Sequence, residues 1–402
     1  MKLEQRETLF TPSFYFASIG NFLLFLGFYQ LMPVLPVYLM DVFDASAVEV
    51  GVVLSCYIVA ALVVRPFSGF LADRFNRKHF YILGFGLFTL AFVAYPLVKV
   101  LMLFVLLRVV HGITFGMVTT TGITLIVDIM PSSRRGEGLG YYGIANNLSM
   151  AIGPMVALMM MDSGQSYDVI FYSALICCFL GFLCVLQIKA PVKPKAASEP
   201  LSFDRFFLKK GLFASPALLL MGIPYGITTS YLALYAKDLA IGGSTGLFFT
   251  MMAVGLILSR TFSGKMIDQG KLVKVVAWGQ LVLVLTFALF ALVGMLNPQW
   301  GSLIAVLFFT VATLMGLGYG MIFPAYNSLF VDLAPNNRRA TASSTYLTSW
   351  DCGIGIGLVF GGTLSDQFGF PFTYFSVALL VCLSTFWFVW KVGPHYLQNK
   401  LR

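Results

Sequence analysis

The chain has 402 residues, 58% of them hydrophobic and 11% charged, with a formal net charge of +9. So small a polar share excludes a soluble globular domain. The basic excess lies on loops that alternate along the chain, which is a membrane pattern and not a nucleic-acid footprint.

Apolar stretches of about 20 residues recur from end to end, each long enough to cross a hydrocarbon core of about 30 Å. They are continuous and not alternating, so they predict helices, in which a lipid-embedded backbone satisfies its own hydrogen bonds. In chain order the expected spans cover 13–39, 47–71, 79–98, 101–130, 139–161 and 168–188. After a polar linker they continue over 212–236, 244–264, 273–296, 302–333, 340–362 and 371–391. The fold class expected is an all-α integral membrane protein with 12 transmembrane helices in two pseudo-symmetric six-helix bundles, 1–188 and 212–402. The linker, 189–211, carries Phe203, Arg205, Phe206, Phe207, Lys209 and Lys210, the composition of a short basic amphipathic helix on the membrane surface. Glu4, Arg6 and Glu7 precede the first span without a small-residue cleavage site, so that span is expected to be retained.

Of the 26 Lys and Arg, 21 fall on alternate loops and the tails, among them Arg74, Arg77, Lys78, Arg134, Arg135, Lys209, Lys265, Arg338 and Arg339. The opposite loops hold only Lys99 and Lys237 and carry Asp41, Asp44, Glu49, Asp162, Asp168, Asp238 and Asp366. The positive-inside rule then puts both termini in the cytoplasm. All six Cys lie in apolar runs, with no zinc-type spacing and no disulfide framework implied.

The two halves repeat. Arg65-Pro66-Phe67-Ser68-Gly69 followed by Asp73 returns 195 positions later as Arg260-Thr261-Phe262-Ser263-Gly264 followed by Asp268. Val127-Asp128 through Arg134-Arg135 returns 204 positions later as Val331-Asp332 through Arg338-Arg339, and Gly112, Gly116 and Met117 return as Gly316, Gly320 and Met321. Internal duplication of this kind is how many secondary transporters are built.

Polar groups inside the spans are the functional candidates, because a buried charge costs at least about 2.5–3.5 kcal/mol on insertion scales. Arg65 and Arg260 occupy equivalent positions near helix ends, as do Asp128 and Asp332. The expected pairings are Arg65 with Asp128 and Arg260 with Asp332, beside the loop acids Asp73 and Asp268. They would form charge latches that break when one face opens. Snorkelling to water is the plainer alternative. Arg108 stands alone, since its counterpart is Ala312, and it suits an anionic substrate group or a site near a titrating carboxyl. His111 shares its helix face and is a candidate proton carrier or a packing residue. Asp351, whose counterpart is Asn147, is the only carboxylate in mid-span, a placement that suits proton coupling or substrate binding. Asn21, Gln30, Phe115, Asn146, Asn147, Tyr225, Tyr231, Tyr319 and Trp350 are expected to line a cavity. Pro33 and Pro36 break the first helix's ladder near its outer end. Gly353-Ile354-Gly355-Ile356-Gly357 is no nucleotide loop, since no strand precedes it, and nothing points to ATP, a cofactor or a metal.

Gly69-x-Leu71-Ala72-Asp73-Arg74-x-x-Arg77-Lys78 resembles the loop between helices 2 and 3 of the major facilitator superfamily, with Asn76 in place of the usual glycine. Asn76 is expected to tolerate the left-handed backbone there. Arg108-x-x-His111-Gly112 resembles that family's helix 4 signature, with His111 where Gln is more common. Leu26-Gly27-x5-Pro33-Val34-x-Pro36 and Gly140-x8-Ser149-x3-Gly153-Pro154 resemble the helix 1 and helix 5 signatures of twelve-span drug–proton antiporters. In the second, Ser149 replaces a glycine, and Ala157-Leu158 stands where a glycine pair follows. The resemblance covers nearly the whole chain. It implies alternating access, with Gly69, Asp73, Arg74, Arg77, Arg134, Gly153, Pro154 and Arg338 in gating and latching, and Arg108 tied to proton coupling. The expected function is proton-coupled export of a small organic compound by a monomer, with protons, the bilayer and the substrate as partners and no nucleic acid. The alternative is a proton-coupled transporter of a defined metabolite such as a sugar, organic acid or metal chelator. A membrane enzyme or a transport-dead receptor is disfavoured, because the spans hold no catalytic triad, metal-ligand cluster or cofactor motif.

Overall fold

The computed structural model describes residues 8–74, 76–131, 134–190, 207–241, 245–335 and 339–401. Of the expected site residues, Arg338 lies outside them, and Gly69, Asp73, Arg74, Asn147 and Asp268 are described only as helical backbone. Phe203, Arg205 and Phe206 of the expected surface helix also lie outside them, while a single turn, α7 (Lys209–Leu212), follows with both lysines exposed.

The remaining helices are α1 (Pro12–Phe43), α2 (Ala47–Arg74), α3 (Arg77–Ala94), α4 (Leu101–Ile129), α5 (Arg135–Asp162), α6 (Tyr167–Leu186), α8 (Ser215–Asp238), α9 (Thr245–Asp268), α10 (Leu272–Val293), α11 (Gly301–Asp332), α12 (Arg339–Trp387) and the tail helix α13 (Gly393–Asn399). Ten segments are long and apolar enough to cross a membrane, one of them being 344–399. That segment holds two helices, because Gly369 (φ 79°) breaks α12 in a left-handed conformation that favours glycine. With α3, of 18 residues, the described residues thus supply 12 spans. Many hydroxyls within them bond back to their own helix, as Thr121 Oγ1 does to the Met117 carbonyl at 2.7 Å.

Helix starts are written in local chemistry. Ser46 and Glu49 form a reciprocal capping box on α2: Ser46 N donates to Glu49 Oε2 at 2.8 Å and Glu49 N to Ser46 Oγ at 3.3 Å. The motif expected as a loop from Gly69 is helical up to Arg74. Asn76 is not left-handed (φ −66°, ψ 113°); it caps α3, its Oδ1 accepting from Lys78 N at 3.0 Å and His79 N at 3.3 Å. An extended residue with a short acceptor side chain is what an N-cap requires. α1 runs unbroken through Pro33 and Pro36.

The chain forms two compact units. Unit 1 comprises Met1–Leu31, Val59–Gly153 and Ser166–Leu201; unit 2 comprises Met32–Ile58, Pro154–Gln165 and Ser202–Arg402. The boundary crosses α1 between Leu31 and Met32, α2 between Ile58 and Val59, and α5 between Gly153 and Pro154. Within unit 1, α3 packs on α4 and α6; within unit 2, α8 packs on α12, and α11 on α9 and α10. The duplication recurs as contacts inside each unit. A Cβ on Gly116 of α4 would lie 2.7 Å from the Ala61 carbonyl oxygen of α2, and one on Gly320 of α11 would lie 3.0 Å from that of Leu256 of α9. Ala61 and Leu256 are themselves 195 positions apart, so both partners of the contact are duplicated.

Candidate functional site

In unit 1 the site is built on α4. Arg108 and His111 are both 0% exposed. Arg108 Nη1 donates to Tyr95 Oη at 3.1 Å, and Tyr95 Oη lies 2.5 Å from His111 Nδ1. Tyr95 follows the last turn of α3 and is itself fully buried. Rings enclose the imidazole: the centroids of Phe88 and Phe92 of α3 lie at 4.8 and 5.0 Å, and that of Phe28 of α1 at 5.9 Å. Phe115, one turn on, stacks on Phe28 at 4.5 Å. A guanidinium in apolar surroundings needs donors matched by acceptors, and a phenol oxygen is one that apolar packing tolerates.

Other unit 1 residues divide. Gln30 is turned to α6, accepting from Ser173 Oγ at 3.1 Å and donating to Cys177 Sγ at 3.6 Å, because a buried amide takes the partners its neighbouring helix offers. Asn21 Nδ2 and Asn146 Oδ1 are a buried donor and a buried acceptor without hydrogen-bond partners among the described residues. Gly153 packs tightly on Leu26 and Tyr29 of α1. Asp128, expected against Arg65, receives Arg77 Nη1 at 2.6 Å, while Arg65 is half-buried. Arg134 lies over the Phe10 ring at 5.9 Å.

In unit 2 the corresponding place is aromatic. Tyr225 of α8 lies 5.3 Å from Tyr319 of α11 and 5.3 Å from Trp350 of α12, and Phe323 lies 4.8 Å from Trp350. Asp351 follows Trp350 and is half-buried; Tyr346, one turn before it, lies within electrostatic reach of both Asp351 and Arg260 of α9. Asp332 Oδ2 accepts from Tyr396 Oη of α13 at 2.7 Å, which ties the tail to α11. Tyr231 spends its hydroxyl on the Leu358 carbonyl at 2.7 Å, a contact between α8 and α12.

Unit 2 also contains a seam between the ends of α1, α2 and α5 and the helices of the second half. Asp162, the last residue of α5, accepts from Thr245 Oγ1 at 2.7 Å and from Gly246 N at 3.1 Å, so a first-half carboxylate caps second-half helix α9. A Cβ on Gly51 of α2 would lie 2.7 Å from the Leu358 carbonyl oxygen, and one on Gly355 would lie 3.2 Å from Ile58. Composition marked Asp162 only as a loop acid and left Tyr95 and Tyr346 unnoticed. The signal that reaches Tyr95 is the demand itself: a mid-span arginine calls for an acceptor on an adjoining helix.

Helices of lipid-spanning length and apolar character, with charges buried among them, define a polytopic membrane protein. The chain belongs to the Major Facilitator Superfamily, whose family model matches residues 17–350 and, again, 243–401. It is similar to the quinolone resistance protein NorA of Staphylococcus aureus (strain MRSA252), 27% identical over 360 residues, covering 86% of this chain and 88% of that protein. It is also similar to the staphylopine export protein of S. aureus (strain Mu50), 24% identical over 346 residues, covering 84% and 85%. Among solved structures it shares its fold with a point mutant of the nucleoside transporter NupG (TM-score 0.74, 14% identity, covering 94% of this chain and 99% of that one). A bacterial homologue of the human lysosomal transporter Spinster, inward-facing and occupied, matches at TM-score 0.73 and 14% identity over 97% of both chains.

Proposed function

We propose that this transporter exports a small organic compound in exchange for incoming protons. Asp351 takes up and releases the proton, and Arg108 is the fixed positive charge of the first half. The two sequence halves, 1–188 and 212–402, move against one another as six-helix bundles, joined by the 189–211 linker. The basic loops face the cytoplasm, with both termini, and the protein acts as a monomer in a bacterial inner membrane. On that orientation the Asp162 seam belongs to the outer side, and its closure corresponds to a conformation shut to the outside. The latching residues of the basic loops, Arg77 with Asp128 foremost, close the opposite side in the other state. Asp73, Arg74, Asp268 and Arg338 belong to the same device through the duplicated motif.

The observation that carries the reading is that the first half buries a lone Arg108 in α4 while the second half holds a mid-span Asp351 in α12, each at a position whose duplicate, Ala312 or Asn147, lacks the charge. Relatives named for quinolone resistance and for staphylopine export favour outward transport, and the Tyr225, Tyr319, Phe323 and Trp350 cluster suits a flat aromatic compound. A defined metabolite is the second reading, favoured by Arg108, which suits an anionic group, and by the exporter relative. Vesicles turned inside out and energised by an acid interior decide it. Quinolone uptake that collapses with the pH gradient supports antiport of that class. Uptake confined to small organic anions supports the second reading, and uptake indifferent to the gradient contradicts proton coupling.

A further inference from the structure

The proton positions in the Arg108–Tyr95–His111 group follow from a count of donors. The guanidinium only donates, so the Arg108 bond uses a lone pair of Tyr95 Oη. If His111 Nδ1 also donated there, the tyrosine proton would be left without an acceptor in a fully buried site, and Nε2 would carry a bare lone pair. Nε2 is buried and has no hydrogen-bond partner among the described residues. The imidazole lies among phenylalanine rings, whose π faces can accept an N–H but offer a lone pair nothing. Only one arrangement gives the tyrosine proton an acceptor: Arg108 donates to Tyr95, Tyr95 donates to Nδ1, and the neutral ring keeps its proton on Nε2. A second proton would have to enter at Nδ1, displace the tyrosine donor and place another cation beside Arg108 with no water near it.

We infer that Tyr95 is a positioning residue that holds the Arg108 guanidinium and locks His111 as a neutral, Nε2-protonated acceptor, so that the histidine stays outside the proton cycle. The groups facing the ring are consistent with this from every helix packed there. α1 contributes Phe28; α3 contributes Phe88, Phe92 and the Tyr95 that follows it; α4 contributes Arg108, through Tyr95; α6 places Phe171 against Tyr95 at 5.5 Å. Arg108 is the charge that acts on the ring. On this inference His111 takes the second of the two roles the sequence left open, that of a packing residue, and helps to set the arginine. The inference deepens the proposed antiport but is read without any transport assay, so the two fail separately.

The chain has three histidines, His79, His111 and His395, which makes nitrogen NMR of the full-length protein in lipid nanodiscs tractable with 15N-histidine labelling. His111→Gln assigns the signal by loss; His79→Gln and His395→Gln assign it by elimination should that variant fold poorly. The expected result is a His111 ring with a protonated Nε2 and a bare Nδ1, unchanged from about pH 5.5 to about pH 8, a window that spans the ordinary imidazole titration. In Tyr95→Phe the tautomer preference is lost or the ring titrates. Titration of His111 in the wild-type protein, a proton on Nδ1, or an identical spectrum in Tyr95→Phe overturns the inference.

Discussion

α4 and α11 are duplicates that have kept their backbone contacts and exchanged their chemistry. Gly116 and Gly320 meet equivalent carbonyls, on Ala61 and Leu256. Yet at the same 204-residue offset Arg108 becomes Ala312, His111 becomes Met315, Phe115 becomes Tyr319, and on the neighbouring helix Asn147 becomes Asp351. Close helix approach tolerates no Cβ, so the glycines are held by geometry. The residues around them are constrained only by what they must bind, so one half has specialised in a buried cation and the other in an aromatic cluster beside an acid.

The largest expected effect comes from removing the asymmetry. Arg108→Ala abolishes transport in energised vesicles, and Ala312→Arg added to it does not rescue, since Ala312 is 0% exposed among packed helices with no Tyr95 to receive a guanidinium. Rescue by Ala312→Arg would show that the halves are interchangeable and break the comparison. Next is Asp351→Asn, which keeps expression and substrate binding but loses the response of transport to an imposed pH gradient. The reciprocal Asn147→Asp leaves that response unchanged.

The glycines sharpen the shared part. Gly116→Ala and Gly320→Ala should each destabilise the protein by about 1–3 kcal/mol through overpacking, read as similar drops in thermal midpoint in detergent. A large cost at one and none at the other would mean that the duplicated contact is not equivalent. The smallest effect belongs to the seam. Asp162→Ala removes the α9 cap, worth about 1 kcal/mol, and shifts the equilibrium toward the open outer side by about fivefold. Labelling of Ala47→Cys, which lies against Gly362 in the seam, by an impermeant maleimide reads that shift as faster modification.

How much of this is legible in the chain depends on whether the signal is local. The spans, the duplication and the three intramembrane arginines follow from apolar length and from lone charges within it. Asn76 was visible as an exception, but its capping role depends on where α3 begins, which apolar length locates only to within a few residues. Tyr95 was not visible, because an aromatic at the end of an apolar run looks like packing until a fold brings Arg108 to it. In the sequence Asp162 is one more acid on an acidic loop. Its role depends on a helix end 83 residues away in the chain, a relation no spacing rule encodes.

The central claim is proton exchange through Asp351 against an outgoing compound. Its most direct measurement is proton release from acid-loaded, inside-out vesicles when a quinolone is added, followed with an interior pH dye. The account predicts prompt alkalinisation of the interior in the wild-type protein and none in Asp351→Asn at equal protein content. Equal alkalinisation in both, or a response that follows sodium and not protons, would contradict it.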